Sequence, residues 1–393
     1  MSFTEAGAAL LPDLVALRRQ LHADPETGLD LPRTQARIVA ALEGLGLEVT
    51  LGKSTMSVVA VLRGSQPGPT VLLRGDMDAL PVEELTGLEY ASTNGAMHAC
   101  GHDLHVAGLV GAARLLAARR EELAGDVLFM FQPGEEGHDG ARRMLAEGLL
   151  ETTGHKPVSA YAVHVQPGPK GVFSSRPGAM LAGANWLGVT VNGLGGHASR
   201  PHAAIDPVPA LMEIATALQT MATRKFDALD PIVLTVTMLK AGDAFNVIPD
   251  KAALGATVRT LSKASTDKLA VETKRLAENI ALAHGCTADV EFFVGCPVTL
   301  NDPSTTAAAL DTLRSQFGPD RVVLAENPAM ASEDFSVVLE EVPGSFIFLA
   351  CSPDGSDTEE FNHSPRVVFD DGVLGDQAAA LAQLAFSHLG PTA

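Results

Sequence analysis

The chain has 393 residues, 46% of them hydrophobic and 19% charged, with a formal net charge of -19. This balance supports buried cores for two or three domains and excludes disorder. The acidity excludes a phosphate-binding surface of clustered Lys and Arg, so no nucleic-acid partner is expected.

Leu10, Leu14, Leu17 and Leu21 recur at helical spacing, and a second helix is expected over 32–45. Short apolar runs at 57–62 and 70–73 have the character of strands buried on both faces. A helix over 104–118, a strand over 126–131 and another over 158–165 follow. This alternation predicts an α/β architecture with a mostly parallel sheet, in which ligands gather beyond the carboxyl ends of the strands. The middle of the chain differs. Strand 186–191, helix 206–223, strands 232–239 and 252–261, helix 266–284 and strand 287–294 give the β-α-β-β-α-β order of a ferredoxin-like domain. The α/β pattern resumes at 304–317, 322–324, 345–349 and 371–388. Residues 1–184 and 296–393 are therefore expected to form one discontinuous catalytic domain, with 185–295 inserted into it. No apolar run reaches the ~18 residues of a membrane helix. The N-terminus lacks the basic-then-apolar pattern of a secretory leader. Cys100, Cys286, Cys296 and Cys351 show no C-x-x-C spacing. A cytoplasmic, reducing setting without membrane contact is expected.

The chemistry concentrates in Met97-His98-Ala99-Cys100-Gly101-His102-Asp103-Leu104-His105. A thiolate and an imidazole on alternate residues of an extended loop, Cys100 and His102, can point at one cation. That donor pair favours zinc and also accepts manganese, cobalt or nickel. The bland alternative is a buried free cysteine beside ordinary histidines. Glu135 and Glu136 lie between Gly134 and Gly137 after an apolar strand. One carboxylate there can bind a metal while its neighbour takes a proton from water that the metal acidifies; a solvated acidic turn is the competing reading. Asp76 and Asp78 can bind metal, orient a ligand imidazole, or cap a turn. His164 ends a strand and His363 stands in a loop, and both gain weight only as further imidazoles of the same site. In the middle segment His197 follows two glycines and can donate to a developing oxyanion. Asn246 and Arg259 can hold a carboxylate, Arg259 by its bidentate fork.

Taken in order, from His22-Ala23-Asp24-Pro25-Glu26 to His363-Ser364-Pro365, these motifs resemble the M20 metallopeptidase superfamily and, more closely, its amidohydrolase branch. That branch includes N-acyl-amino-acid amidohydrolases, hippurate hydrolases and auxin-conjugate hydrolases. The resemblance implies two divalent metal ions held by Cys100, His102, Glu136, His164 and His363, with Cys100 bridging and Asp103 the second choice as bridge. It implies Glu135 as general base and Asp78 as the residue behind the ligands. Asp76 occupies the place of a histidine ligand in the wider superfamily and is left out of the ligand set. His98 and His105 are expected to support the site without ligating. The resemblance further implies a homodimer through the inserted domain, with His197 completing the partner's site and Asn246 and Arg259 binding a substrate carboxylate. The expected activity is hydrolysis of the amide of N-acyl amino acids or small acyl conjugates. A dipeptidase or carboxypeptidase of the same superfamily, a thiol hydrolase using Cys100, and a non-catalytic binder are the rivals.

Overall fold

The computed structural model of the protein describes residues 1–353 and 360–391. The chain forms two compact units. One comprises Met1–Met180, Leu300–Asn327 and Asp334–Ala393, the other Leu181–Thr299 and Pro328–Glu333. Pro328–Glu333 thus groups with the second unit, although the sequence division puts everything after 295 in the first.

The first unit is built on an eight-stranded sheet. In spatial order its strands are Glu48–Leu51, Val58–Arg63, Ala124–Gln132, Gln66–Asp76, Ser159–Gln166, Gly344–Ala350, Phe173–Ser175 and Val322–Leu324. The central strands run parallel, whereas Glu48–Leu51, Val58–Arg63 and the pairing of Gly344–Ala350 with Phe173–Ser175 are antiparallel. Central strands such as Ser159–Gln166 are buried along almost their whole length, because both faces are covered. The edge strand Glu48–Leu51 is exposed at every residue and carries no continuous apolar run, which hid it from the sequence pattern.

Helices Phe3–His22, His102–Ala117 and Leu374–Leu389 pack against one another, the latter two also against this sheet. The first starts at a capping box: the Ser2 hydroxyl accepts from the Glu5 N–H at 3.2 Å, and the Glu5 carboxylate accepts from the Ser2 N–H at 2.8 Å. Such reciprocal bonds satisfy orphan helix donors. The helix His102–Ala117 is buried on nearly every side, as befits an element enclosed between sheet and helices. Among the described residues no helix is long and apolar enough to cross a membrane, and none of the cysteines forms a disulfide.

The second unit contains a four-stranded antiparallel sheet ordered Val233–Ala241, Lys251–Thr260, Gly183–Asn192, Thr287–Cys296. With helices Pro207–Lys225 and Lys263–Ala283 this is the expected β-α-β-β-α-β arrangement. Burial alternates strictly along Lys251–Thr260, the mark of a sheet covered on one face only. Asp206 and Ser262 cap the two helices through the N–H groups of Val208 and Ser265, at 3.0 Å each.

Candidate metal centre

The polar motifs of the first unit meet at the carboxyl ends of its central strands. Asp76 is the last residue of Gln66–Asp76, His164 lies near the end of Ser159–Gln166, and Glu135 and Glu136 follow Ala124–Gln132. His102 is the first residue of its helix, behind Gly101 at φ +82°. A Cβ at Gly101 would stand 2.3 Å from Val165 Cγ2, so both the left-handed backbone and the close approach require glycine there.

These turns bring the five expected ligands together. Ligand atoms of Cys100, His102 and Glu136 lie within 4.8 Å of one another. His164 Nε2 is 3.6 Å from Cys100 Sγ, and His363 Nε2 is 3.2 Å from Glu136 Oε1. His363 reaches this point from a residue at φ +74°, with its N–H bonded to the Ala99 carbonyl at 2.8 Å.

The imidazoles are held so as to leave one nitrogen for a cation. His102 Nδ1 donates to the Asp78 carbonyl at 2.8 Å, and His164 Nδ1 to the Val165 carbonyl at 2.7 Å. A backbone carbonyl only accepts, so both rings carry a proton on Nδ1, which leaves Nε2 as the atom available to a metal. His102 Nε2 is buried without an aligned hydrogen-bond partner among the described residues, and its nearest carboxylate is Asp76 Oδ2 at 3.4 Å. An unmet buried polar atom is costly unless a ligand satisfies it. Thiolate, imidazoles and carboxylate around that atom are the donor set of a zinc-type ion. The residues present therefore fit a metal.

The local field says the same. Burial works against charge on His102, yet Asp76, Asp78 and Cys100 outweigh it and lift its pKa well above the imidazole range. Hydrogen bonds to Cys100 and Glu136 push His363 up to about 10. Burial, with His105 and His102 nearby, drives His164 well below its usual value.

Asp76 and Asp78, read from sequence as a like-oriented pair, do different work. Asp78 Oδ1 accepts the Glu135 N–H at 3.0 Å and Oδ2 the Glu136 N–H at 3.1 Å, so one carboxylate fixes the backbone of both glutamates. Asp76 is completely buried, with Oδ2 bonded to Arg74 at 2.6 Å and Oδ1 to His105 at 2.5 Å. Burial opposes its ionisation, but Arg74, His102 and His105 hold its carboxyl well below the usual range.

Asp103 does not reach the cluster. Its Oδ2 is bonded to Arg18 at 2.6 Å and to His22 at 2.7 Å, in a buried network that continues to Glu84, Tyr90 and Asp371. The idea of Asp103 as bridge fails for this reason: the helix that presents His102 to the site turns Asp103 toward the first helix. His98 is buried with neither ring nitrogen hydrogen-bonded among the described residues, and burial lowers its pKa to about 3. Sequence reasoning missed Asp334, which accepts from Gln132 at 2.6 Å, Arg74 at 3.4 Å and the Ala141 N–H at 3.0 Å. No local motif marks a carboxylate 260 residues from its arginine.

His197, Asn246 and Arg259 belong to the second unit. His197 and Asn246 share a short ribbon, in which Val247 pairs with His197 and the Ala198 N–H donates to the Asn246 carbonyl at 3.0 Å. His197 Nδ1 meets the Ser199 hydroxyl at 2.9 Å. Arg259 stands far along Lys251–Thr260, paired with Ala184 and 3.5 Å from the Ser332 hydroxyl.

Residues 72–387 match the description of peptidase family M20/M25/M40. The chain belongs to this family. It is 35% identical to a thermostable carboxypeptidase of Saccharolobus solfataricus, over 95% of each chain. It is equally identical to an N-acetylcysteine deacetylase of Bacillus subtilis, covering 95% of this chain and 96% of that one. An IAA-amino acid hydrolase of Arabidopsis thaliana is 36% identical over 96% of this chain and 85% of its own length. Among solved structures, the YXEP protein of Bacillus subtilis, described as a dinuclear metal binding M20 peptidase, superposes with a TM-score of 0.83 at 33% identity, covering 96% of this chain and 98% of that one. These likenesses establish an M20 hydrolase of the amidohydrolase kind with a mixed α/β fold.

Proposed function

We propose that this M20 hydrolase cleaves the amide of N-acyl amino acids or related small acyl conjugates at a two-metal centre of Cys100, His102, Glu136, His164 and His363. The observation that carries this reading is His102. Its Nδ1 is pinned to a carbonyl and its buried Nε2 faces Cys100 and Glu136 without an aligned partner. Two divalent ions, zinc first and manganese, cobalt or nickel as alternatives, would supply Lewis-acid polarisation of the scissile carbonyl and acidify water.

The chain's own residues do the rest. Glu135 is held beside Glu136 by the Asp78 clamp, which lets one carboxylate serve as ligand and the other as base. Glu135 takes a proton from the attacking water and returns it to the leaving amine. His197 donates to the oxyanion, and Asn246 and Arg259 hold the substrate carboxylate. Within one chain the ribbon carrying His197 and Asn246 adjoins Asp250, where the Gly193 N–H meets the Asp250 carbonyl at 2.8 Å. Arg259 lies eight residues up the strand from Lys251, about 26 Å at the usual rise. That separation supports a homodimer in which His197 completes the neighbouring subunit's site.

The decisive experiment is Glu135→Gln. Turnover of an N-acyl amino acid should vanish while metal content stays at two per chain; retained turnover removes Glu135 from the role of base. The likeness to a carboxypeptidase favours one second reading, peptide-bond cleavage next to a free carboxylate. Parallel assays on N-acetyl amino acids and dipeptides separate the two.

A further inference from the structure

We infer that His105 is a positioning residue of the metal centre, acting through the backbone N–H of Val165, and that Asn362 holds the carbonyl of the same residue. The inference rests on the two-metal reading and adds to it residues that touch no metal.

The Val165 N–H donates to His105 Nε2 at 2.8 Å. A peptide N–H can only donate, so this Nε2 is bare and the ring proton sits on Nδ1, where Asp76 Oδ1 accepts it at 2.5 Å. Asp76 is in turn anchored by Arg74 at 2.6 Å. Both nitrogens of His105 are thereby committed. Although its ring lies 4.4 Å from that of His164, centroid to centroid, it has no lone pair left for a metal.

The carbonyl of the same residue holds a ligand. The Val165 carbonyl accepts from His164 Nδ1 at 2.7 Å and from Asn362 Nδ2 at 3.3 Å. Asn362 Nδ2 also lies 3.4 Å from the Cys100 carbonyl and 3.5 Å from its sulfur. The Val165 side chain meets Gly101, between the two ligands Cys100 and His102. One residue, Val165, therefore joins through its N–H, carbonyl and side chain the three segments that bring Cys100, His102, His164 and His363 together.

The sheet leaves this task to a side chain. Pairing of Ser159–Gln166 with Gln66–Asp76 stops at Arg74 opposite Ala162. The Val165 N–H lies beyond that end, and His105 supplies the acceptor. Without it a buried donor goes unmet and the His164 carbonyl anchor loses its counterpart.

Two substitutions separate positioning from bulk. In His105→Asn the amide reaches the place of Nδ1, keeping a donor for Asp76 but no acceptor for Val165. In His105→Gln it reaches the place of Nε2 and restores that acceptor. The metal-depleted protein and both variants are titrated with Co(II), following the thiolate-to-cobalt charge-transfer band and chelator competition. Thermal unfolding confirms that each variant is folded. His105→Asn should weaken cobalt binding about 10–100-fold, as loss of a partner behind a ligand usually does. His105→Gln should bind at least about tenfold more tightly than His105→Asn. Equal affinities for the two variants, whether at the wild-type level or below it, overturn the inference. Asn362→Ala, at a partly exposed position, should lose affinity in the same direction, and unchanged binding removes Asn362 from the device. Absence of a thiolate band in the wild-type protein would instead defeat the metal reading itself.

Discussion

Asp78→Asn tests how the two glutamates divide their labour. In the native chain the carboxylate accepts two backbone N–H groups, from Glu135 at 3.0 Å and Glu136 at 3.1 Å. An asparagine keeps one acceptor and turns its NH₂ against the other N–H, so one charge-assisted bond is replaced by two opposed donors. A hydrogen bond to a charged group is worth about 1.5–3 kcal/mol. If that energy holds Glu135 in its reactive place, kcat falls about 10- to 150-fold at 1.36 kcal/mol per decade. The anchor of His102 is the Asp78 backbone carbonyl at 2.8 Å, which the substitution leaves intact. Metal content should therefore stay at the wild-type level while kcat drops. Steady-state kinetics on an N-acyl amino acid, with elemental analysis of the same sample, gives both quantities. A kcat within threefold of wild type, or metal loss that tracks the activity loss, refutes the division of roles.

Two further expectations concern the buried network behind the site. Arg18→Met leaves Asp103 charged and buried without its 2.6 Å partner, which should cost about 3–5 kcal/mol in urea unfolding; Arg18→Met with Asp103→Asn should recover more than half of this, and a double variant no more stable than the single one contradicts the pairing. His22 faces Asp103 at 2.7 Å and Glu84 at 3.0 Å; burial opposes its charge but the two carboxylates prevail and raise its pKa. A raised folded pKa gives stability that is fully present below the unfolded value of about 6.5 and is lost as pH rises through the folded one. The difference in melting midpoint between wild type and His22→Gln should thus be largest at mildly acid pH and shrink toward alkaline pH, and a constant difference rules it out.

Much of this molecule is legible in its sequence where local chemistry decides the outcome. Leucines at helical spacing placed the first helix, and the middle segment's element order foretold a four-stranded antiparallel sheet. The site motifs were legible for a related reason: in a sheet whose central strands run parallel, polar residues just past apolar strands must converge at one edge. What stayed hidden depends on partners distant in sequence. Asp76 and Asp78 look alike along the chain, but one meets Arg74 and His105 while the other meets the backbone of Glu135 and Glu136. The antiparallel flanks of the sheet are equally invisible, since Glu48–Leu51 is exposed along its whole length and offers no buried apolar pattern. His105 shows the limit most clearly. Its spacing from His102, one helical turn, is what a second ligand would have. A single donor, the Val165 N–H from another strand, takes the lone pair that ligation would need. Whether a histidine binds a metal or holds up one that does is decided by what its other nitrogen and its neighbours' backbone require, and that is a property of the fold.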